Sequence, residues 1–136
     1  MILVTGGTGL LGTHVLFQLA NSGKKIRAMR RVNSDLKTVE EVFNHYAENG
    51  SKLFNQIEWV EADILDIPSL NLIFDKVDEV YHCAAMVSFA RRDYTEMMKI
   101  NREGTANMVN FALANNVKKF CHVSSTAAIG KSGLEK

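Results

Sequence analysis

No stretch of this chain approaches the ~20 consecutive apolar residues that a membrane-spanning helix requires. Charge of one sign is lacking too. Its 16 basic and 15 acidic side chains leave a net charge of +1, which gives no general affinity for nucleic acid or for an acidic membrane. Cysteine is scarce: Cys83 and Cys121 both fall in apolar runs that read as buried strands, so inert core thiols are expected rather than a disulfide. That cysteine usage places the chain in the cytoplasm as an expectation. The single proline, Pro68, fits the start of a short helix. We find no internal repeat, no low-complexity tract and no linker. The apolar start has no basic residues ahead of it and is soon broken by glycines, so it reads as a first strand rather than a secretory signal. What remains, 46% hydrophobic and 23% charged over 136 residues, is enough for one domain with one core.

The most informative segment is Ile2-Leu3-Val4-Thr5-Gly6-Gly7-Thr8-Gly9-Leu10-Leu11-Gly12, an apolar strand that runs into a glycine-rich turn opening a helix. Glycine triplets also close hairpins and cap helices, so the triplet alone is weak evidence. Its setting strengthens it, because His14-Val15-Leu16-Phe17-Gln18-Leu19-Ala20 continues with helix-forming apolar residues. In that setting Gly6 permits the tight turn, Gly9 removes a Cβ that would block a phosphate, and Gly12 lets the helix pack closely on the sheet. The free N–H groups of the first helical turn, with the helix dipole behind them, then face an anion such as a pyrophosphate.

Apolar strands alternate with helical stretches along the whole chain. Strands are predicted at Ile2–Val4, Lys25–Arg30, Ile57–Glu61, Glu79–His82 and Lys119–Ser124. Helices are predicted near Gly9–Ser22, Asp35–Glu48, Ser69–Phe74 and Tyr94–Asn115, with stops at Asn21-Ser22-Gly23 and Asn49-Gly50-Ser51. Such alternation implies an α/β fold: a doubly wound parallel sheet of Rossmann type, order 3-2-1-4-5, with helices on both faces. The ligand crevice then lies at the carboxyl ends of the strands, where strands 1 and 4 diverge.

The spacing Gly-x-x-Gly-x-x-Gly in Thr5-Gly6-Gly7-Thr8-Gly9-Leu10-Leu11-Gly12 resembles the signature of the extended short-chain dehydrogenase/reductase family, and the resemblance continues along nearly the whole chain. It implies that these eight residues cradle the pyrophosphate of NAD or NADP. At the end of the second strand, where a carboxylate would take the ribose hydroxyls of NAD, this chain has Arg30 and Arg31. A guanidinium can grip a 2′-phosphate in two-point fashion. Lys25-Ile26-Arg27-Ala28-Met29-Arg30-Arg31 resembles the second strand of dihydroflavonol-reductase-like members, whose arginine matching Arg31 meets the 2′-phosphate of NADP. Asn33, Ser34 and Lys37 are further candidate donors. Two arginines after a strand are otherwise simply solvated surface charges.

Glu61-Ala62-Asp63-Ile64-Leu65-Asp66 resembles the family's acidic motif, which implies that Asp63 bonds the adenine amino group and the Ile64 N–H a ring nitrogen. The residues alone equally support Asp63 as a turn aspartate, with Asp66 better placed to cap the Pro68 helix. Tyr81-His82-Cys83-Ala84-Ala85 resembles the family's His-x-Ala-Ala stretch, where Cys83, Ala84 and Ala85 let backbone lie against the cofactor. His82, closing a buried strand, reads as hydrogen-bonded structure rather than as a catalytic group.

In this family a Tyr-x-x-x-Lys pair with a Ser or Thr handles the proton while the cofactor transfers hydride. Cys121-His122-Val123-Ser124-Ser125-Thr126-Ala127-Ala128-Ile129-Gly130 resembles the fifth-strand motif and implies Ser125 as the catalytic hydroxyl, with Ser124 beside the cofactor. A one-residue register change would exchange Ser125 with Ser124 or Thr126. Asn101-Arg102-Glu103-Gly104-Thr105-Ala106-Asn107 resembles the family's Asn-x-x-Gly-Thr-x-Asn motif and implies that Asn101 bonds backbone near the active site. Asparagine and glycine inside a helix are unfavourable, Gly104 by ~1 kcal/mol against alanine, so a bent exposed helix is the other reading.

The three tyrosines, Tyr46, Tyr81 and Tyr94, are followed at the fourth position by Gly50, Ala85 and Met98, so the Tyr-x-x-x-Lys pair is missing. This fits residues 1–136 as the amino-terminal cofactor domain of a longer enzyme whose substrate part lies downstream. Such a fragment is expected to bind a dinucleotide without efficient turnover. The leading expectation is an NADP(H)-dependent reductase of a small-molecule carbonyl or hydroxyl substrate, with Met86-Val87-Ser88-Phe89-Ala90 lining the nicotinamide side. Nucleotide-sugar epimerase or dehydratase, and a non-catalytic NAD(P)-sensing regulator, are the alternatives. The resemblance also implies a homodimer through the fourth helix, whose Met97, Ile100, Met108, Val109 and Phe111 would be exposed without a partner and make the fragment self-associate.

Overall fold

Two apolar faces diverge from the first strand of the computed structural model, which describes residues 1–130. In β1 (Ile2–Thr5) every side chain is buried, and alternate residues go to opposite sides of the sheet. Ile2 and Val4 join Ile26 and Ala28 of β2 (Ile26–Arg30) against α1 (Leu10–Asn21), α2 (Lys37–Tyr46) and the short α3 (Gly50–Phe54). Leu3 joins Met29 of β2 and Val80 of β4 (Glu79–His82) against α4 (Ile67–Ile73) and α6 (Thr105–Ala114). With β3 (Glu58–Glu61) and β5 (Lys119–His122), all five strands are parallel and run in the order β3-β2-β1-β4-β5. That is the expected doubly wound sheet with helices on both faces.

Burial accounts for the two layers. Phe17 of α1 meets Phe43 of α2 edge-on at 5.4 Å between ring centroids, and Phe74 meets Phe111 of α6 at 5.4 Å on the other side. Fully burying such a side chain contributes ~2 kcal/mol or more each. Arg27 fastens the second layer from β2: it pairs with Glu58 of the edge strand β3 at 2.8 Å and donates to the carbonyls of Ile73 and Asp75, the otherwise unpaired end of α4.

Several expectations are corrected. The Asn49-Gly50-Ser51 stop is not an exit into coil, because α3 begins at Gly50 and packs so closely on α2 that a Cβ there would fall 2.3 Å from the Phe43 carbonyl oxygen. The helix expected over Tyr94–Asn115 is in fact α5 (Tyr94–Met98), a π-helical turn (Lys99–Gly104) and α6. Its inward stripe is Ile100, Gly104, Met108, Phe111 and Ala112, so Ile100, Met108 and Phe111 pack on the sheet layer rather than lying exposed; Tyr94, Met98, Val109 and Leu113 are the large apolar residues that face outward. β5 ends at His122 rather than Ser124. Cys121, expected in the core, is exposed because β5 is the sheet's edge, while Cys83 just beyond β4 is half-buried and its thiol is pushed up chiefly by burial. No helix among the described residues is long and apolar enough to cross a membrane.

Candidate functional site

The carboxyl ends of β1 to β4 open onto one groove of about 720 Å³. At its floor Thr5 turns into Gly6, which has φ +67° and passes so close to the strand β4 exit that a Cβ would lie 2.7 Å from the Cys83 carbonyl carbon and the Ala84 nitrogen. At Gly12 a Cβ would come 2.0 Å from the Gly6 carbonyl oxygen. Gly12 thus brings α1 against the turn itself rather than against the sheet. No side chain caps α1 at Gly9, and no acidic residue sits in its first turn. The leading N–H groups therefore keep their partial positive charge for a ligand.

Thr5 and His82 hold this floor rigid. The Ala84 N–H donates to Thr5 Oγ1 at 3.2 Å, the Thr5 hydroxyl meets His82 Nδ1 at 2.7 Å, and His82 Nε2 meets Thr105 Oγ1 at 3.0 Å on α6. His82 is fully buried and stacked on His122 at 5.4 Å between centroids. Burial, with a smaller contribution from a charged His122, pushes its pKa down to about 4. The imidazole is a neutral structural link between turn and helix.

Asn101 works in the same way at the far end. It lies in the π-helical turn, where its Oδ1 accepts from the Met86 N–H and its Nδ2 donates to the Met86 carbonyl, both at 2.8 Å. The widened turn swings the side chain to that loop, and Gly104 lets the turn close on Ile64, whose Cδ1 would lie 2.4 Å from an added Cβ. The unfavourable Asn and Gly thus serve packing, not fraying.

Gly6, Thr8, Gly9, Arg30, Arg31, Asp63, Ile64, Cys83, Ala84 and Ala85 all line the groove, as the sequence suggested. Thr5, Gly7 and Gly12 lie buried beneath it, Leu10 and Leu11 are exposed on α1, and Asn101, Ser124 and Ser125 do not line it. The Ser125 Oγ instead accepts from the Ala127 N–H at 3.2 Å, opening a 3-10 turn over Thr126–Ile129. Asp63 is a turn aspartate, accepting from the Leu65 N–H at 2.8 Å, and it also faces the groove; Asp66 caps α4 by accepting from the Ser69 N–H at 3.0 Å. Met29, Ser34, Leu65 and Met86 also line it, as do Glu96, Lys99 and Ile100. The sequence reading missed the last three as groove residues because nothing in a helix so far beyond β4 marks which residues face back over the sheet.

The two arginines at the β2 end differ. Arg30 pairs through Nη2 with Glu61 of β3 and donates through Nη1 to the Val32 carbonyl at 3.4 Å. Arg31 has no ion pair among the described residues, while its N–H donates to Ser34 Oγ at 3.0 Å and both residues line the groove. This edge of the groove therefore carries one committed arginine and one without an ion pair among the described residues.

The model of the NAD dependent epimerase/dehydratase family matches residues 2–135. The chain belongs to this family. Among its relatives is a putative dihydroflavonol 4-reductase of Synechocystis sp., 28% identical over 130 residues that make up 96% of this chain and 34% of the relative. Another is a bifunctional UDP-glucose 4-epimerase and UDP-xylose 4-epimerase of Pisum sativum, 31% identical over 135 residues, 96% of this chain and 38% of that one. Of the solved structures, the UDP-glucose-4-epimerase of Stenotrophomonas maltophila with bound NAD superposes with a TM-score of 0.77 at 25% identity, covering 97% of this chain and 39% of that one. The chain spans about a third of the length of its curated relatives. Its uncapped helix, glycine cradle and cationic edge fit the dinucleotide of such a family.

Proposed function

We propose that this chain is the cofactor-binding domain of an NADP(H)-dependent reductase that acts on a small carbonyl or hydroxyl substrate. The observation that carries this reading is Arg31, a free cation on the groove where an NAD enzyme of this fold would present a carboxylate. Residues Gly6 to Gly9 would take the pyrophosphate with backbone N–H groups and the helix end. Arg31 and Ser34 would take the 2′-phosphate, and Asp63 with the Ile64 N–H the adenine edge.

When bound, the nicotinamide supplies or accepts the hydride. The chain's own part is to hold it: Ala84 and Ala85 give it a flat wall, and Asn101 fixes Met86 beside them. Ser125 would hold a substrate oxygen by donating its O–H, which the bond it accepts from the Ala127 N–H leaves free. No Tyr-x-x-x-Lys pair occurs within residues 1–136, so this stretch by itself is expected to bind cofactor without turnover.

The test is titration calorimetry with NADP⁺ and NAD⁺ side by side on the full-length protein, repeated with Arg31→Ala. NADP⁺ is expected to bind at least tenfold tighter, with the preference lost in the variant, as removal of a charge-assisted pair of about 1.5 kcal/mol or more requires. Equal affinities would demote Arg31 to a surface charge. They would also favour an epimerase or dehydratase, the reading that the Pisum sativum relative and the NAD-bound structure support.

A further inference from the structure

We propose that Glu61, which does not itself line the groove, is a specificity-determining residue that acts through Arg30. By holding Arg30 in an ion pair, it limits how strongly the domain prefers a ribose 2′-phosphate to a free 2′-hydroxyl. The inference rests on the dinucleotide reading of the groove and concerns how its discrimination is set.

Arg30 and Glu61 are register partners at the carboxyl end of β2 and β3, so their side chains rise on the same face at the lip of the groove. Arg30 is the more sheltered of the two, its side chain 24% exposed against 50% for Glu61. A similar cross-strand pair, Arg27 with Glu58, lies three residues earlier and makes the contrast. Arg27 also donates at 2.8 and 2.9 Å to two carbonyls at the end of α4, so it stays fixed whatever becomes of its carboxylate. Among the described residues Arg30 has, besides Glu61, only the long 3.4 Å bond to the Val32 carbonyl. Neutralising Glu61 therefore releases one guanidinium, and only that one, next to the unpaired Arg31. The Arg30 guanidinium, no longer held across the strands, can then turn to a phosphate beside Arg31. A doubly charged phosphate gains from that change, and a neutral hydroxyl gains nothing.

Glu61 sets the availability of Arg30 and touches no cofactor itself, so any gain over wild type from neutralising it requires Arg30.

The experiment is calorimetric titration of the full-length protein with NADP⁺ and NAD⁺, in wild type, Glu61→Gln, Arg30→Ala and the double variant, at low and at physiological salt. Glu61→Gln should tighten NADP⁺ roughly fivefold, the scale of an exposed charge pair. It should leave NAD⁺ within about twofold and steepen the salt dependence of NADP⁺ binding. Arg30→Ala leaves the Glu61 carboxylate unpaired and should weaken NADP⁺ more than NAD⁺, and the double variant should bind NADP⁺ no tighter than wild type. An unchanged NADP⁺ to NAD⁺ ratio, a gain that survives the loss of Arg30, or equal weakening of both cofactors would each overturn the inference, the last by assigning Glu61 to holding the strand end alone. A wild-type protein that binds neither cofactor would sink the dinucleotide reading itself, and the inference with it.

Discussion

The two ends of the sheet's ligand edge are built differently. From β2 to β4 most strand residues are buried, the turn residues have almost no room, and polar atoms are matched in chains such as Thr5, His82 and Thr105. At β5 three of four residues are exposed, and Ser124 to Gly130 are exposed throughout. The first region has one arrangement imposed by packing, as expected where a cofactor must be met by fixed N–H groups. The second is held chiefly by strand pairing and by one local bond at Ser125. Preorganisation is thus complete where a phosphate would lie and incomplete where a substrate would react.

That contrast can be broken most severely at Gly12. Gly12→Val puts a branched side chain where a Cβ already lies 2.0 Å from backbone, and it is expected to cost ~4 kcal/mol or more. Thermal unfolding by circular dichroism should show a folded population largely lost at 25 °C; a near-wild-type melt would mean that α1 can shift freely.

Acidification probes the same region more gently. The folded pKa of His82, about 4, is depressed below its ordinary 6.5, so as pH falls the unfolded chain takes the proton first and stability is lost between those values. Urea unfolding at pH 7 and pH 5 should differ by up to about 2 kcal/mol from this group, and His82→Asn should remove that pH dependence. A difference unchanged in the variant would place it on other groups.

The smallest effect is expected at the edge. Cys121→Ser should alter stability by less than about 0.5 kcal/mol, and a thiol reagent should label Cys121 well before Cys83, whose thiol is half-buried and shifted up. Slower labelling of Cys121 would mean that β5 is covered in solution.

The parts of this design that were legible in the sequence are those with local causes. Alternating apolar runs set the strands and their order, and Pro68 with Asp66 marked the start of α4. The glycine spacing marked the turn because a positive φ and a close backbone approach leave few other residues possible. What could not be read has non-local causes. The π-helical turn depends on Asn101 finding Met86, fifteen residues back. The difference between Arg30 and Arg31 depends on a carboxylate thirty-one positions away that only the β2–β3 register brings near. Exposure of Cys121 follows from which strand ends the sheet, and a hydrophobic run carries no record of that.

The clamp at Met86 has one further consequence. A single amide side chain takes the N–H of that residue and one lone pair of its carbonyl, so a molecule arriving at the mouth of the groove finds no main-chain donor at Met86. The side chains that follow, Val87 and Phe89, are exposed and outside the groove, so they can be exchanged without disturbing the scaffold beneath.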